Sequence, residues 1–202
     1  MTDPTAPQTL LSLAGADPTP NGFSDSVLLL IDCQMEYVDG RLALPEVAPA
    51  LAEAGRLLER ARAAGTPVVH IAHRGAPGGP FDPEGRSGQI APEVAPRAGE
   101  PVIGKRLPNA FAGTELDATL KALGRQRLIV AGFMTHMCVS STVRAALDLG
   151  YRATVVARAA ATRDLPTPEG GRIAARDLHR ASLAALADRF AVVAESADML
   201  PD

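Results

Sequence analysis

The sequence predicts an α/β protein: a three-layer α/β/α sandwich around a central, mostly parallel six-stranded sheet. Two observations predict it. Short β-rich runs alternate with segments of helical periodicity along most of the 202 residues, and those runs are apolar throughout. Strands that are apolar on both sides are typical of a parallel sheet covered by helices on both faces. Right-handed crossovers then distribute the helices into two outer layers.

The first half of the chain supplies three strands and one long helix. Residues 26–31 form a continuous apolar run, and residues 45–64 carry apolar side chains at helical spacing before Gly65 ends the helix. Two further β-rich runs follow, and between them the segment 74–99 is rich in glycine and proline and has no periodicity. A loop that long is usually functional or mobile. The two runs are residues 67–72 and 101–104.

The second half repeats the alternation. A helix at 114–123 is followed by Gly124, and the helix at 135–149 has apolar residues three and four positions apart. The last long helix is expected at 171–187. The remaining three strands are expected at 128–131, 151–157 and 190–193.

Composition narrows the class of protein. Hydrophobic residues make up 47% and charged residues 21% of the chain, as in ordinary soluble domains. The net charge of −3 gives no reason to expect nucleic acid or a membrane as partner. Two cysteines are too few for a disulfide framework, so we expect a reducing, cytoplasmic setting. Residues 1–22 are predicted to be a flexible arm without signal-peptide features, and residues 23–202 a single domain.

A cysteine marks the most informative segment, Gly132-Phe133-Met134-Thr135-His136-Met137-Cys138. The predicted strand 128–131 ends directly before this segment, and residues with helical apolar spacing follow it. We therefore expect Cys138 in the first turn of a helix. Unpaired N–H groups and the helix dipole at that place can lower a thiol pKa below its usual ~8.5. The alternative is a small, buried, inert cysteine, as most free cysteines are.

Other reactive side chains also come directly after strands. Asp32 follows the first strand, His73 the second and Lys105 the third. Because chemistry in such sheets gathers beyond the carboxyl ends of the strands, we expect these groups to meet Cys138. A carboxylate beside a thiol can act as general base, and an ammonium group stabilises both charged forms. Taken singly, Asp32 could be a turn cap and Lys105 a surface ion-pair partner.

Three motifs in order give the chain a specific resemblance. They are Asp32-Cys33-Gln34 with Tyr37 beyond it, the run from Lys105 to Thr114, and the run from Gly132 to Thr142. With them the chain resembles the isochorismatase-like cysteine hydrolases, the superfamily of nicotinamidases and N-carbamoylsarcosine amidohydrolases. The similarity covers nearly all of residues 27–193.

The resemblance implies roles for the matching residues. It implies a catalytic triad in which Cys138 is the nucleophile, Asp32 the general base and Lys105 the charge that tunes them. It also implies a cis peptide bond between Phe133 and Met134 and an oxyanion hole made by the N–H groups of Met134 and Cys138. From strand-end position and family pattern, the substrate pocket is expected to be lined by Gln34, Tyr37, His73, Phe111 and Thr135.

Two other kinds of site are not expected. The segment 99–105 fits the first part of a P-loop, but Arg106 stands where a magnesium-binding Ser or Thr belongs. No metal is expected either: His70 and His73 lie three apart on a strand and point to opposite faces, and the Asp-x-His metal motif of nicotinamidases is missing. His70 is predicted to be a hydrogen-bonded core residue, and no organic cofactor is expected.

The leading prediction is therefore a cysteine hydrolase that cleaves a C–N bond of a small amide, carbamoyl or lactam substrate through a thioester. One alternative is an isochorismatase-type hydrolase of a vinyl ether, with Asp32 active and Cys138 a bystander. The other is a non-enzymatic ligand-binding α/β protein. A small-molecule substrate and a homo-oligomer, dimer or tetramer, are the expected partners.

Overall fold

The computed structural model describes residues 7–202, and its core is a six-stranded sheet whose strands are all parallel. The strand order is β3-β2-β1-β4-β5-β8, and a separate two-stranded antiparallel ribbon pairs β6 with β7. The predicted three-layer α/β/α sandwich is thereby confirmed. The strands are β1 (Ser26–Ile31), β2 (Val68–His73), β3 (Val102–Lys105), β4 (Arg127–Phe133), β5 (Arg152–Ala161), β6 (Leu165–Pro166), β7 (Arg172–Ile173) and β8 (Ala191–Ala194).

Residues 7–202 also form five α-helices. They are α1 (Leu10–Leu13), α2 (Val47–Ala63), α3 (Leu116–Ala122), α4 (Ser140–Asp148) and α5 (Ala175–Arg189). In residues 7–202 no helix combines the length and apolarity that crossing a bilayer requires.

The sheet is buried on both faces, which explains the continuous apolar character of its strands. In β1, Leu28 and Leu30 pack into a core layer beneath α2, whereas Val27, Leu29 and Ile31 pack into a second layer with residues of α3, α4 and α5. Alternate side chains of one strand therefore enter two separate cores. Burying both sets of side chains drives the three-layer arrangement.

Three local predictions need correction. The residues 135–139 form a π-helical turn, and the α-helix begins only at Ser140, so Cys138 lies just before the regular helix. The predicted helix 171–187 begins at Ala175, because residues 165–173 form the β6–β7 ribbon. Strand β5 runs to Ala161 instead of 157, with an irregularity in its pairing to β4.

Part of the predicted N-terminal arm is docked on the body of the domain. The Leu10 N–H donates to Asp188 on α5 at 2.9 Å. Asn21 is buried, and its amide group donates to the carbonyl oxygens of Leu128 and Arg152. Residues 1–6 of the arm lie outside the described part of the chain.

The strand order places a topological switch point between β1 and β4. The chain builds outward from β1 to β3 on one side and then crosses to β4 on the other, so the connections leaving these two strands diverge. Such a switch point is where parallel sheets bind ligands. Asp32 follows β1 and the turn carrying Cys138 follows β4.

Candidate active site

Gly132 allows the two central strands, β1 and β4, to approach each other closely at the site. Gly132 has a backbone φ of 118° and pairs with Ile31, and a Cβ at this position would lie 2.0 Å from the Ile31 carbonyl oxygen. No other residue fits such a contact without moving β1. Asp32 itself has a left-handed backbone, with φ of 51°, which aspartate tolerates better than most residues. The strand ends therefore bring residue 32 beside the turn after β4.

The structure brings the three predicted catalytic side chains into contact. Lys105 Nζ lies 2.7 Å from Asp32 Oδ2 and 3.3 Å from Cys138 Sγ. All three residues are buried, with relative exposures of 1% for Lys105, 0% for Asp32 and 5% for Cys138. An ammonium group at this depth requires a partner charge, because its desolvation is otherwise too costly. Asp32 supplies that charge.

The electrostatics of the thiol differ from the expectation. Burial and the Asp32 carboxylate raise the pKa of Cys138 to about 12, and Lys105 opposes the shift only in part. The prediction of a lowered thiol pKa is therefore wrong for the resting site. Burial also raises the pKa of Asp32, while Lys105 lowers it. The main physical reason is burial, which removes the water that would stabilise a thiolate. In addition, the Lys105 charge is already balanced by the Asp32 carboxylate, so a thiolate would add an uncompensated negative charge.

Gln34 is placed in the framework of the site. It is fully buried, and its Nε2 donates to the carbonyl oxygens of His73 and Gly88 at 3.0 and 2.9 Å. Its Oε1 accepts from the His73 N–H at 2.8 Å. Both amide hydrogens are thus used on the backbone, and Gln34 joins the end of β2 to the loop that follows it. Gln34 was predicted to contact the substrate, but neither of its amide hydrogens is free to donate to a ligand.

Aromatic rings cover one side of the site. Tyr37 is buried, with its ring in edge-to-face contact with Phe81 at 5.0 Å and Phe133 at 5.8 Å between centroids. Burial, Asp32 and Cys138 raise the Tyr37 pKa, so the hydroxyl stays protonated. Phe81 belongs to the irregular segment 74–99 and has φ of 58°. An aromatic residue in this backbone region is uncommon and is found where the surroundings impose it.

His73 lies at the edge of the triad, half-buried. Its Nδ1 is 3.3 Å from Lys105 Nζ, and its ring contacts Phe81 edge-to-face at 5.1 Å. Burial and the Lys105 charge lower the pKa of His73 to about 4. It is neutral at physiological pH.

Thr135 anchors the turn that carries Cys138. Its hydroxyl is fully buried and donates to the Ala161 carbonyl oxygen at 3.1 Å. The same oxygen lies 2.8 Å from Nδ1 of His179 on α5. Since a hydroxyl has one hydrogen, and the carbonyl can only accept it, His179 is the donor. Sequence reasoning gave His179 no part in the site, because its position on a helix carries no sign of a partner 44 residues away.

A second histidine holds the same turn. His136 Nδ1 is hydrogen-bonded to the Thr162 hydroxyl at the end of β5. The turn is thereby tied to β5 by His136 and to α5 through Thr135.

The backbone around Met134 belongs to the predicted oxyanion hole. The Phe133–Met134 peptide bond is cis. The Met134 carbonyl oxygen accepts from the N–H groups of Met137 and Val139, whereas the Met134 N–H donates to no acceptor in residues 7–202. That N–H group is available to a ligand.

Phe111 is not brought to the site. Its ring stacks on Tyr151 at 5.7 Å, and Tyr151 precedes β5, at the amino end of that strand. Cys138 instead follows the carboxyl end of β4. The segment after β3 returns along the sheet before α3 begins, so Phe111 packs at the edge opposite the predicted pocket.

Within the described residues, no three His, Cys, Asp or Glu side chains are grouped to hold a metal ion. His70 is buried with Nε2 3.2 Å from Glu100, as predicted for a core histidine.

A cleft of about 780 Å³ opens beside the end of β5, between α2 and α5. His179 lines this cleft, but no triad residue does.

Comparison with known proteins places the chain. The family model described as "Isochorismatase domain" matches residues 26–198. The chain belongs to the isochorismatase family. The names of several similar proteins state a hydrolase, amidohydrolase or amidase activity.

Individual family members differ in the activities that their names state. The secreted isochorismatase effector Isc1 of Verticillium dahliae is 34% identical over 93% of this chain and 97% of its own. The crystal structure of an isochorismatase from Pseudomonas putida KT2440 is 47% identical, with a TM-score of 0.92 over 96% of this chain and all of that one. An N-carbamoylsarcosine amidase from Thermoplasma acidophilum is 27% identical, with a TM-score of 0.73 over 86% of this chain and 97% of that one.

Proposed function

We propose that this protein is a cysteine hydrolase that cleaves the C–N bond of a small amide, carbamoyl or lactam substrate through a thioester on Cys138. The observation that carries the proposal is the buried contact of one ammonium group with both a carboxylate and a thiol. Lys105 Nζ touches Asp32 Oδ2 and Cys138 Sγ. The amidase among the structural relatives supports this substrate class.

Proton transfer inside the triad is the first step of the proposed mechanism. Two protonation states have the same total charge: carboxylate with thiol, and carboxylic acid with thiolate. Moving the proton from Sγ to Asp32 therefore creates the nucleophile without changing the net charge of the buried site. The raised pKa values of both groups describe the resting protein. In the catalytic cycle Asp32 takes this proton as general base, so the thiolate and the carboxylic acid form together.

Acylation and hydrolysis then follow with the same groups. The thiolate forms a C–S bond to the substrate carbonyl, and the resulting oxyanion accepts hydrogen bonds from the N–H groups of Met134 and Cys138. The C–N bond breaks as Asp32 gives its proton to the leaving nitrogen. Asp32 next takes a proton from water, whose oxygen attacks the thioester carbonyl. When the C–S bond breaks, Asp32 returns the proton to Cys138.

Trapping the thioester tests the proposal. The protein is incubated with a panel of small amides, carbamoyl compounds and lactams, quenched in acid, and digested for mass spectrometry. We expect the acyl part of any hydrolysed substrate on the peptide containing Cys138. The matched control is Cys33→Ser, which removes the other cysteine and retains the adduct. Full turnover by Cys138→Ala contradicts the proposal.

The second candidate is a vinyl-ether hydrolase. Its support is that two of the similar proteins reported above carry isochorismatase in their names, one of them 47% identical to this chain. Here Asp32 would act on the vinyl ether and Cys138 would take no part. Isochorismate as substrate separates the candidates: under this second mechanism Cys138→Ala retains turnover, and Asp32→Asn loses it.

A further inference from the structure

Lys105 Nζ has three polar neighbours within reach of its three N–H donors. One is Asp32 Oδ2, in an ion-pair contact at 2.7 Å, and the second is Cys138 Sγ, in a hydrogen bond at 3.3 Å. The third is His73 Nδ1, also at 3.3 Å. An ammonium group has three donors and no acceptor, so the number of neighbours matches the number of donors. Removing any partner leaves one donor buried without an acceptor, which is unfavourable.

The contact also defines the protonation of the imidazole. Because the ammonium group can only donate, His73 Nδ1 must present its lone pair. A neutral imidazole carries one hydrogen, which then resides on Nε2. The low pKa of His73, about 4, is consistent with this neutral form.

Several elements hold His73 in this place. His73 pairs in register with Lys105 across β2 and β3, so the two side chains start from the same level of the sheet. The Gln34 amide group binds both the N–H and the carbonyl of His73. On the loop side, the Phe81 ring contacts the imidazole. Of these three neighbours only Lys105 is charged.

We propose that His73 is a positioning residue: by accepting the third ammonium hydrogen, it directs the other two to Asp32 and Cys138. This role replaces the substrate contact that the sequence suggested for His73, and it rests on the proposed function. Without an acceptor at this point, the buried ammonium group turns to satisfy its free hydrogen. The thiolate then loses its donor for part of the time, and its formation becomes less favourable.

A pair of variants of similar size tests the acceptor. In His73→Asn, Oδ1 is as many bonds from the backbone as Nδ1 and can accept the same hydrogen. His73→Leu has nearly the same shape and no acceptor. Both are made in the Cys33→Ser chain, so that only Cys138 reacts. The readout is the rate of alkylation by iodoacetamide between pH 7 and 10, measured by intact-protein mass spectrometry.

The expected result is a split between the two variants. His73→Leu should alkylate about tenfold more slowly than the parent at a given pH, the scale of one lost hydrogen bond to a charged group. His73→Asn should stay within about threefold of the parent. Equal rates in both variants, whether unchanged or equally reduced, overturn the proposal, because the acceptor would then make no difference.

Two measurements keep this inference separate from the proposed function. If Lys105→Met leaves the alkylation profile unchanged, lysine does not tune the thiol and the proposed function loses its support. If Lys105→Met slows alkylation but His73→Leu does not, only the His73 inference fails.

A second measurement does not depend on whether the leucine variant folds. It is nitrogen-15 NMR of the parent at pH 7, in which the His73 signals are assigned by their loss in His73→Asn. We expect protonated Nε2 and unprotonated Nδ1, and the opposite tautomer overturns the proposal.

Discussion

The two cysteines lie at the ends of neighbouring strands and have opposite surroundings. Cys33 follows β1 and Cys138 follows β4, and both are buried next to Asp32. Burial and the Asp32 charge raise the pKa of each thiol. Cys33 Sγ donates to the Ile31 carbonyl oxygen at 3.8 Å, whereas Cys138 Sγ accepts a hydrogen bond from the Lys105 ammonium group at 3.3 Å. Burial therefore does not distinguish the two thiols, but the neighbouring cation does.

The largest expected effect is the difference in turnover between the variant that lacks the Cys138 thiol and the variant that lacks the Cys33 thiol. Cys138→Ala should reduce turnover of an amide substrate by about 10³-fold or more, since catalytic nucleophiles contribute on this scale. Cys33→Ser should change turnover by less than about threefold, because its hydroxyl can still donate to the Ile31 carbonyl oxygen and it touches no reacting atom. Steady-state kinetics on purified variants measure both. A loss of similar size in both variants would remove the distinction between the cysteines.

Asp32→Asn should separate alkylation from hydrolysis. The Asp32 charge raises the Cys138 pKa, so removing it lowers that pKa while Lys105 remains. Iodoacetamide should then label Cys138 faster at pH 7. Hydrolysis should fall by about 10²- to 10⁴-fold, since the general base is lost. Unchanged or slower labelling would contradict the prediction that the Asp32 charge raises the Cys138 pKa.

Lys105→Met should affect stability as well as reactivity. It leaves the Asp32 carboxylate buried without its partner, which costs about 3–5 kcal/mol of unfolding free energy. Adding Asp32→Asn removes the unpaired charge, so the double variant should recover much of that loss. Urea unfolding of the parent, the two single variants and the double variant forms the cycle. Additive losses would show that the ion pair contributes little to stability.

The smallest effect is a dependence of stability on pH from the four histidines. Burial lowers the pKa of His70, His73, His136 and His179 from the ordinary value of 6.5. The unfolded chain therefore binds protons first as pH falls below about 6.5, and unfolding becomes easier. The contribution is complete above that pH and decreases towards the folded pKa values, about 4 for His73. Urea unfolding at pH 7.5, 6.5 and 5.5 measures it, with His73→Asn expected to reduce the slope.

Motifs and periodicity predicted the fold because the forces involved are local or repeated. Six apolar runs alternate with helical segments, and only a parallel sheet with two helical layers buries all of them. The β6–β7 ribbon was missed because its strands have two residues each, too few to show a period. The start of α4 was misplaced because a π-helical turn has apolar spacing close to that of an α-helix.

Strand ends alone brought Asp32, Lys105 and Cys138 together in the prediction, since parallel strands present their carboxyl ends at one edge. The same reasoning placed Phe111 in the substrate pocket. In the structure its ring instead stacks on Tyr151, because the segment after β3 turns back along the sheet. His179 was missed for the opposite reason: α5 brings it back to Thr135 from the far end of the chain. Position relative to a strand is informative only for residues that directly follow it.

The sequence by itself determined the parallel sheet and the residue types that meet beyond its strand ends, because apolar periodicity and motif order do not depend on distant contacts. Only the tertiary structure decided the protonation of those groups. Which charge is neutralised depends on the distances among Lys105, Asp32, Cys138 and His73. Burial strengthens each electrostatic interaction between them, because it excludes water. A pKa depends on these three-dimensional distances, and no spacing along the chain encodes them.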